Sequence, residues 1–221
     1  MSKTVNLLSV DTSSDCGSIA VVSGGTVLGE IRLANSIQHS ERLFRSIEFL
    51  FQQIELTLND IDLFAAARGP GSFTGLRVGL AAMEGFAFAR KKASAGVSTL
   101  AAAAWQVKRE NTLISPVLDA RRSEIYSALY RRQGEELIEL RAPTVLKPAQ
   151  WLSTLPADPI VFCGSGVGVI KPGIVKRSEW QVTAVSPYLA TAVAEISVTA
   201  SREPLEPLYV RPSDAEVRKS N

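Results

Sequence analysis

Gly69-Pro70-Gly71-Ser72-Phe73-Thr74-Gly75-Leu76-Arg77-Val78-Gly79-Leu80-Ala81 is a glycine-rich turn running directly into a helix. Glycine reaches positive φ without steric cost and proline fixes its own φ near the value that opens a turn, so Gly69 to Gly71 reads as a tight turn. Ser72 or Thr74 supplies the N-cap. Gly75 to Arg90 then runs without proline and with mostly small or apolar side chains, which predicts a helix. Such a turn brings the backbone close to something, and its exposed N–H groups can face a phosphate or carboxylate. The spacing Gly69-x-Gly71-x-x-x-Gly75 is one residue too long for a dinucleotide fingerprint. No Lys-Ser/Thr pair follows Gly75, and Ser72 lacks the flanking glycines of a nucleophile elbow. From this stretch alone, structural turn and ligand cradle both stay open.

Upstream, Leu63 to Ala67 is a short strand feeding the turn. Thr4 to Val10, Gly17 to Ser23 and Thr26 to Leu33 read as strands, with Gly24-Gly25 a hairpin turn between the last two. Ser40 to Ile54 places Leu43, Phe44, Ile47, Leu50, Phe51 and Ile54 at helical spacing, with Glu41 where the helix dipole favours it. The first hundred residues thus predict β-β-β-α-β-loop-α. Gly75, Gly79, Ala81, Gly85 and Ala89 put small residues along the helix after the turn, which lets another element approach, either the chain's own sheet or a second subunit.

Downstream, Gly96 to Leu100 leads to an alanine-rich helix near Ala101 to Lys108. Strands resume at Thr112 to Leu118 and Glu124 to Tyr130, a turn falls at Gln133-Gly134, and another strand runs through Leu140. Pro143, Pro148, Pro156, Pro159, Pro172 and Pro187 break the remainder of the chain into short elements, with a helix at about Leu189 to Ala200. We expect an N-terminal lobe over 1–104, onto which 203–221 packs back, and a smaller lobe over 105–202. No sequence repeat and no low-complexity tract is visible.

The chain has 221 residues, 46% of them hydrophobic, enough for a substantial core. No stretch approaches the roughly 18 uninterrupted apolar residues of a membrane span. A cytoplasmic protein without a signal peptide is expected. Cys16 and Cys163 match no metal-knuckle spacing and read as reduced packing residues. The net charge is +2 and the basic residues are scattered in pairs, so autonomous tight nucleic-acid binding is not indicated.

The catalytic inventory is restrictive. His39 is the one histidine, so a histidine-based metal site is not expected, and its place at a helix start suits a surface or capping role. Asp11 ends the first strand and is followed by Thr12, Ser13 and Ser14. Phosphate and metal ligands often gather at such a strand end, although an Asx turn explains it equally. Asp11, Ser13, Ser72 and Thr74 are the candidate cofactor contacts, with no particular cofactor assigned. Asp119-Ala120-Arg121-Arg122 follows a strand in the same way, with Glu124 placed to pair with an arginine. No nucleophile, base and orienting group assemble from these.

The motifs Val10-Asp11-Thr12-Ser13, His39-Ser40-Glu41-Arg42-Leu43, the glycine stretch through Gly79, Gly96-Val97-Ser98-Thr99-Leu100, Asp119-Ala120-Arg121-Arg122 with Tyr126, and Pro207-Leu208-Tyr209-Val210-Arg211 occur in one order along nearly the whole chain. In this order the sequence resembles the bacterial TsaB (YeaZ) family. The resemblance implies an α/β, two-lobed actin-like and sugar-kinase-like (ribonuclease H-like) fold, each lobe a mixed sheet flanked by helices. It implies a non-catalytic partner in forming threonylcarbamoyladenosine next to the anticodon of tRNAs that read codons beginning with A. The family's partner is the paralogue TsaD, which transfers the threonylcarbamoyl group; TsaE joins them and TsaC makes the adenylate that is consumed.

The catalytic paralogue carries Val-Asn-His-x-x-x-His after the corresponding helix, and its two histidines hold a metal. Here Thr99 and Ala103 take those places, so no metal is expected. Fold relatives that bind ATP show Asp-x-Gly-x-Thr/Ser, whereas Asp11-Thr12-Ser13 puts a side chain where that glycine lets phosphate approach. The chain itself requires no cofactor on this reading, with any nucleotide placed at the junction with the partner. The expected partner surface is the helix after His39 and the small-residue helix, through Leu43, Ile47, Phe51, Gly75, Gly79, Met83, Gly85 and Phe86. The same surface would serve a homodimer, and tRNA is contacted within the complex alone. An actin-like small-molecule kinase or ATPase, and a peptidase, are the alternatives.

Overall fold

The computed structural model describes residues 4–34, 40–199 and 203–211. His39 lies outside the described residues. The chain begins with three strands, β1 (Asn6–Asp11), β2 (Cys16–Ser23) and β3 (Thr26–Ala34), followed by α1 (Ser40–Ile54), β4 (Leu63–Gly69), α2 (Phe73–Arg90), β5 (Ala93–Ser98) and α3 (Thr99–Trp105). The same series then repeats: β6 (Leu113–Asp119), β7 (Ile125–Gln133) and β8 (Glu136–Leu146), then α4 (Pro148–Thr154), β9 (Ile160–Cys163), α5 (Val167–Ile174), β10 (Trp180–Val182) and α6 (Ala190–Thr199). The sheets have matching orders, β3-β2-β1-β4-β5 and β8-β7-β6-β9-β10. In each, an antiparallel meander is extended by two parallel strands. The repeat that the sequence hides is therefore one of topology.

Burial explains the layers. Leu43, Ile47, Leu50 and Phe51 of α1 and Leu76, Leu80 and Met83 of α2 close over Leu8, Val10 and Phe64 on the outer face of the first sheet. In the second sheet Trp151 of α4 and Ile170 and Ile174 of α5 cover Val117, Ile125, Leu129 and Phe162 in the same manner. α3 and α6 fill the space between the sheets, and they are exchanged between lobes. Leu100 and Ala104 of α3 pack with Ile114, Ala128 and Tyr130 of the second sheet. α6, which falls within the segment assigned by sequence to the second lobe, lies on the first sheet: Ser9 Oγ donates to Ala190 O at 2.8 Å, Ala190 N donates to Ser18 Oγ at 2.9 Å, and Ala194 packs with Leu7 and Leu63. Residues 203–211 also return to the first lobe, where Glu203 bridges Gly96 of the edge strand β5 and Leu205 enters the core.

Several boundaries differ from expectation, and two of them have a clear physical cause. α2 opens at Phe73, two residues before Gly75, because Ser72 is the cap: its Oγ accepts from Gly75 N at 3.3 Å. β8 does not end at Leu140 but continues past Pro143 to Leu146. Proline lacks a ladder donor, yet β8 is an edge strand, and the pairing with β7 shifts register between Ser127 and Leu129, where Ala142 and Pro143 fall. No described helix is long and apolar enough to cross a membrane.

Candidate functional site

The glycine turn approaches the chain's own β1–β2 turn. A Cβ at Gly71 would strike the backbone of Ser13, one at Gly75 the carbonyl of Thr12, and one at Gly79 the hydroxyl of Thr12. Hydrogen bonds lock the two turns together: Ser72 N donates to Ser13 O (2.7 Å), Ser13 N to Asp11 Oδ1 (2.9 Å) and Thr12 Oγ1 to Gly75 O (2.7 Å). Asp11, Ser13 and Ser72 are thus brought together as a structural knot, while Thr74 points outward, exposed, from the first turn of α2. Between turn and ligand cradle, the geometry selects the turn.

The same packing corrects the expected partner surface. Leu43, Ile47, Phe51 and Met83 lie in the core, and Gly75 and Gly79 are covered by Thr12. Of the residues named, Gly85 and Phe86 stay at the surface. A Cβ added at Gly85 would meet nothing within 4 Å, and Phe86 is half-buried between the rings of Phe44 (5.8 Å) and Phe64 (5.9 Å).

A cleft of about 900 Å³ separates the lobes. Its first-lobe wall carries Ser13, Asp15 and the Pro70–Ser72 turn; its second-lobe wall carries Asp119, Arg121, Tyr126 and Ser165. Thr99 and Ala103, one turn apart on α3, line the same cleft. The Thr99 hydroxyl is buried without a hydrogen-bond partner. Below, Asp11 is fully buried; Oδ2 of its carboxyl has no partner, and burial pushes its pKa up to about 6, against the lowering effect of the Ser13 hydrogen bonds. Burial likewise pushes the Cys163 thiol up to about 12, which suits a packing residue. Among the described residues, no group of three His, Cys, Asp or Glu side chains gathers.

These residues do not fit a nucleoside polyphosphate held at the glycine turn. The turn's backbone is in contact with Ser13, the cap position is filled by Ser72, and Asp11 is sealed from the cleft with a carboxyl that burial favours in the neutral form. Sequence reasoning did not find the part played by the Asp119–Glu124 turn and Arg211. Arg121, Arg122 and Ser123 all have positive φ (61°, 54° and 59°), and Arg211 holds the turn through Ala120 O and the Glu124 carboxylate. The motif residues were visible, but their pairing joins positions 87 and 91 apart.

A family model described as TsaD: tRNA N6-adenosine threonylcarbamoyltransferase matches residues 27–198. The chain is 28% identical over 169 residues to the tRNA threonylcarbamoyladenosine biosynthesis protein TsaB of Bacillus subtilis, covering 76% of this chain and 74% of that one. It is 31% identical to the protein of the same name from Haemophilus influenzae, covering 73% of this chain and 72% of the relative. The structure of YeaZ from Pseudomonas aeruginosa superposes with a TM-score of 0.75 at 27% identity, over 93% of this chain and 99% of that one. The duplicated sheets and these matches give a two-lobed actin-like fold, and the chain belongs to the TsaB (YeaZ) family.

Proposed function

We propose that this chain is the non-catalytic activating partner of the TsaD threonylcarbamoyl transferase, in formation of threonylcarbamoyladenosine next to the anticodon of tRNAs reading codons that begin with A. Family membership supports the pathway, since the relatives carry that process in their names. The observation that carries the non-catalytic reading is the cleft face of α3, where Thr99 and Ala103 offer one unpartnered hydroxyl and a methyl group. Neither supplies the imidazole that a catalytic metal site of this geometry needs.

The contact with TsaD is made through the outer face of α1 and α2. There Thr74, Val78, Ala81 and Gly85 follow one another at helical spacing on the solvent side, next to Phe44, which is 44% exposed. Small residues let a partner helix approach, and preferential binding to the active conformation of TsaD would raise its activity. The same face serves a homodimer when TsaD is missing. TsaE joins the assembly, TsaC acts in the same cytoplasmic pathway, tRNA is met within the complex, and any nucleotide sits at the subunit junction.

The test is reconstitution of tRNA threonylcarbamoylation from the same organism's proteins with and without this chain, with size-exclusion chromatography in parallel. Activity that needs this chain and co-elution with TsaD are the expected results; full activity without it ends the proposal. Gly85→Trp should abolish co-elution without lowering the melting temperature of the isolated chain. The size of the interlobe cleft favours one second reading, a small-molecule kinase or ATPase. It would require ATP turnover by the isolated chain.

A further inference from the structure

Residues 203–211 are attached to both lobes, and very unequally. On the first lobe Gly96 N donates to Glu203 O (2.8 Å), Arg68 Nε to Glu206 O (3.0 Å) and Leu208 N to Arg68 O (2.7 Å), with Leu205 buried in the core. Tyr209 then stacks on Phe73 at the start of α2 (5.4 Å between centroids), and its hydroxyl accepts from Arg77 Nε (3.0 Å). Two residues later the segment reaches the second lobe through Arg211. Arg211 Nη1 donates to Ala120 O (3.2 Å), Nη2 pairs with the Glu124 carboxylate, and the guanidinium lies over the Tyr126 ring (6.0 Å). Ala120 and Tyr126 line the cleft.

The turn that Arg211 holds is one that resists its own conformation. Three successive non-glycine residues, Arg121 to Ser123, sit in the left-handed region, which the Cβ–carbonyl clash disfavours at each. Local bonds close the turn, with Arg121 N donating to Asp119 Oδ1 (2.8 Å) and Glu124 N to Arg121 O (3.0 Å). The turn is joined to the segment held on the first lobe by the forked guanidinium, which grips a carbonyl and a carboxylate at once. We propose that residues 203–211 are a strap that fixes the separation of the cleft walls, with Arg211 as its releasable end. When Arg211 leaves Glu124 and Ala120, the 119–126 turn relaxes and the cleft opens, while the first-lobe attachments hold the rest of the strap in place.

The experiment uses the full chain with spin labels at Ser14→Cys and Ser165→Cys, exposed positions on opposite cleft walls, in a Cys16→Ser background; Cys163 is buried. Interlabel distances and amide hydrogen exchange are compared for Arg211, Arg211→Lys and Arg211→Met. In Arg211→Met the distance distribution should broaden and shift to longer values. Exchange in 119–126 should accelerate by about tenfold or more, with α1 and α2 unchanged, as a local opening requires. Arg211→Lys, which keeps the charge but loses the fork, should fall between. An unaltered distance distribution, unaltered exchange in 119–126, or an equal rise in exchange throughout the molecule would overturn the strap.

Discussion

Asp11 places an ionisable carboxyl where hydrogen bonding to Ser13 only partly offsets the cost of burying its charge. Its Oδ1 accepts from Ser13 N, and its buried Oδ2 has no partner. Burial therefore raises its pKa to about 6, so between the unfolded-state value near 4 and the folded value the native state binds more protons than the unfolded chain. The sign follows: this residue's contribution is most favourable below about pH 4, declines as pH rises to about 6, and is constant above that. The full span is on the order of 3 kcal/mol. Asp11→Asn keeps the acceptor for Ser13 and removes the charge. Relative to the parent chain, it should gain stability at pH 8 and gain little at pH 4, as denaturant midpoints at the two pH values would measure. An equal effect at both pH values would show that folding leaves the Asp11 pKa unshifted.

Along α2, glycines of the same spacing have opposite roles, and substitution separates them. Gly75→Ala drives a methyl into the Thr12 carbonyl and breaks the knot between the two turns, at a cost of about 3 kcal/mol. Gly85→Ala meets open space on an exposed helical face and should instead stabilise by about 0.5–1 kcal/mol. Thermal melts of the two variants should move in opposite directions. This pair also marks what the sequence could disclose. The existence of α2 was legible because the cap and the helix are neighbours, although it opens two residues earlier than expected; the amphipathic pattern of α1 was legible too, but Leu43, Ile47 and Phe51, expected at a partner surface, lie in the core. What the glycines approach was not legible, because Thr12 bonds Gly75 across 63 residues. Pro143 within β8 was hidden for a similar reason: it is tolerated on an edge, and edge position follows from strand order alone. Thr99 and Ala103 became meaningful through the family pattern, and the structure adds that both line one cleft.

Across the whole molecule, the exchanged central helices make the lobes depend on one another. α6 follows the second sheet in the chain yet covers the first, and α3 follows the first sheet yet packs on the second. A third link joins them near the base. Arg132 of β7, 3% exposed, donates to Trp105 O (3.0 Å) and stacks on the Trp105 ring (4.4 Å), while Trp105 Nε1 donates to Glu195 of α6. Loss of either sheet would strip cover from the helix that the other requires, so the chain should unfold in one cooperative transition despite its two cores. Phe162→Ala, a cavity in the second-lobe core, should cost about 3–5 kcal/mol. Native-state hydrogen exchange should then show the slowest amides of β1, in the other lobe, losing protection by the same free energy as those of β6. If β1 kept its protection while β6 lost it, the lobes would be independent folding units and the exchanged helices would carry no coupling between them.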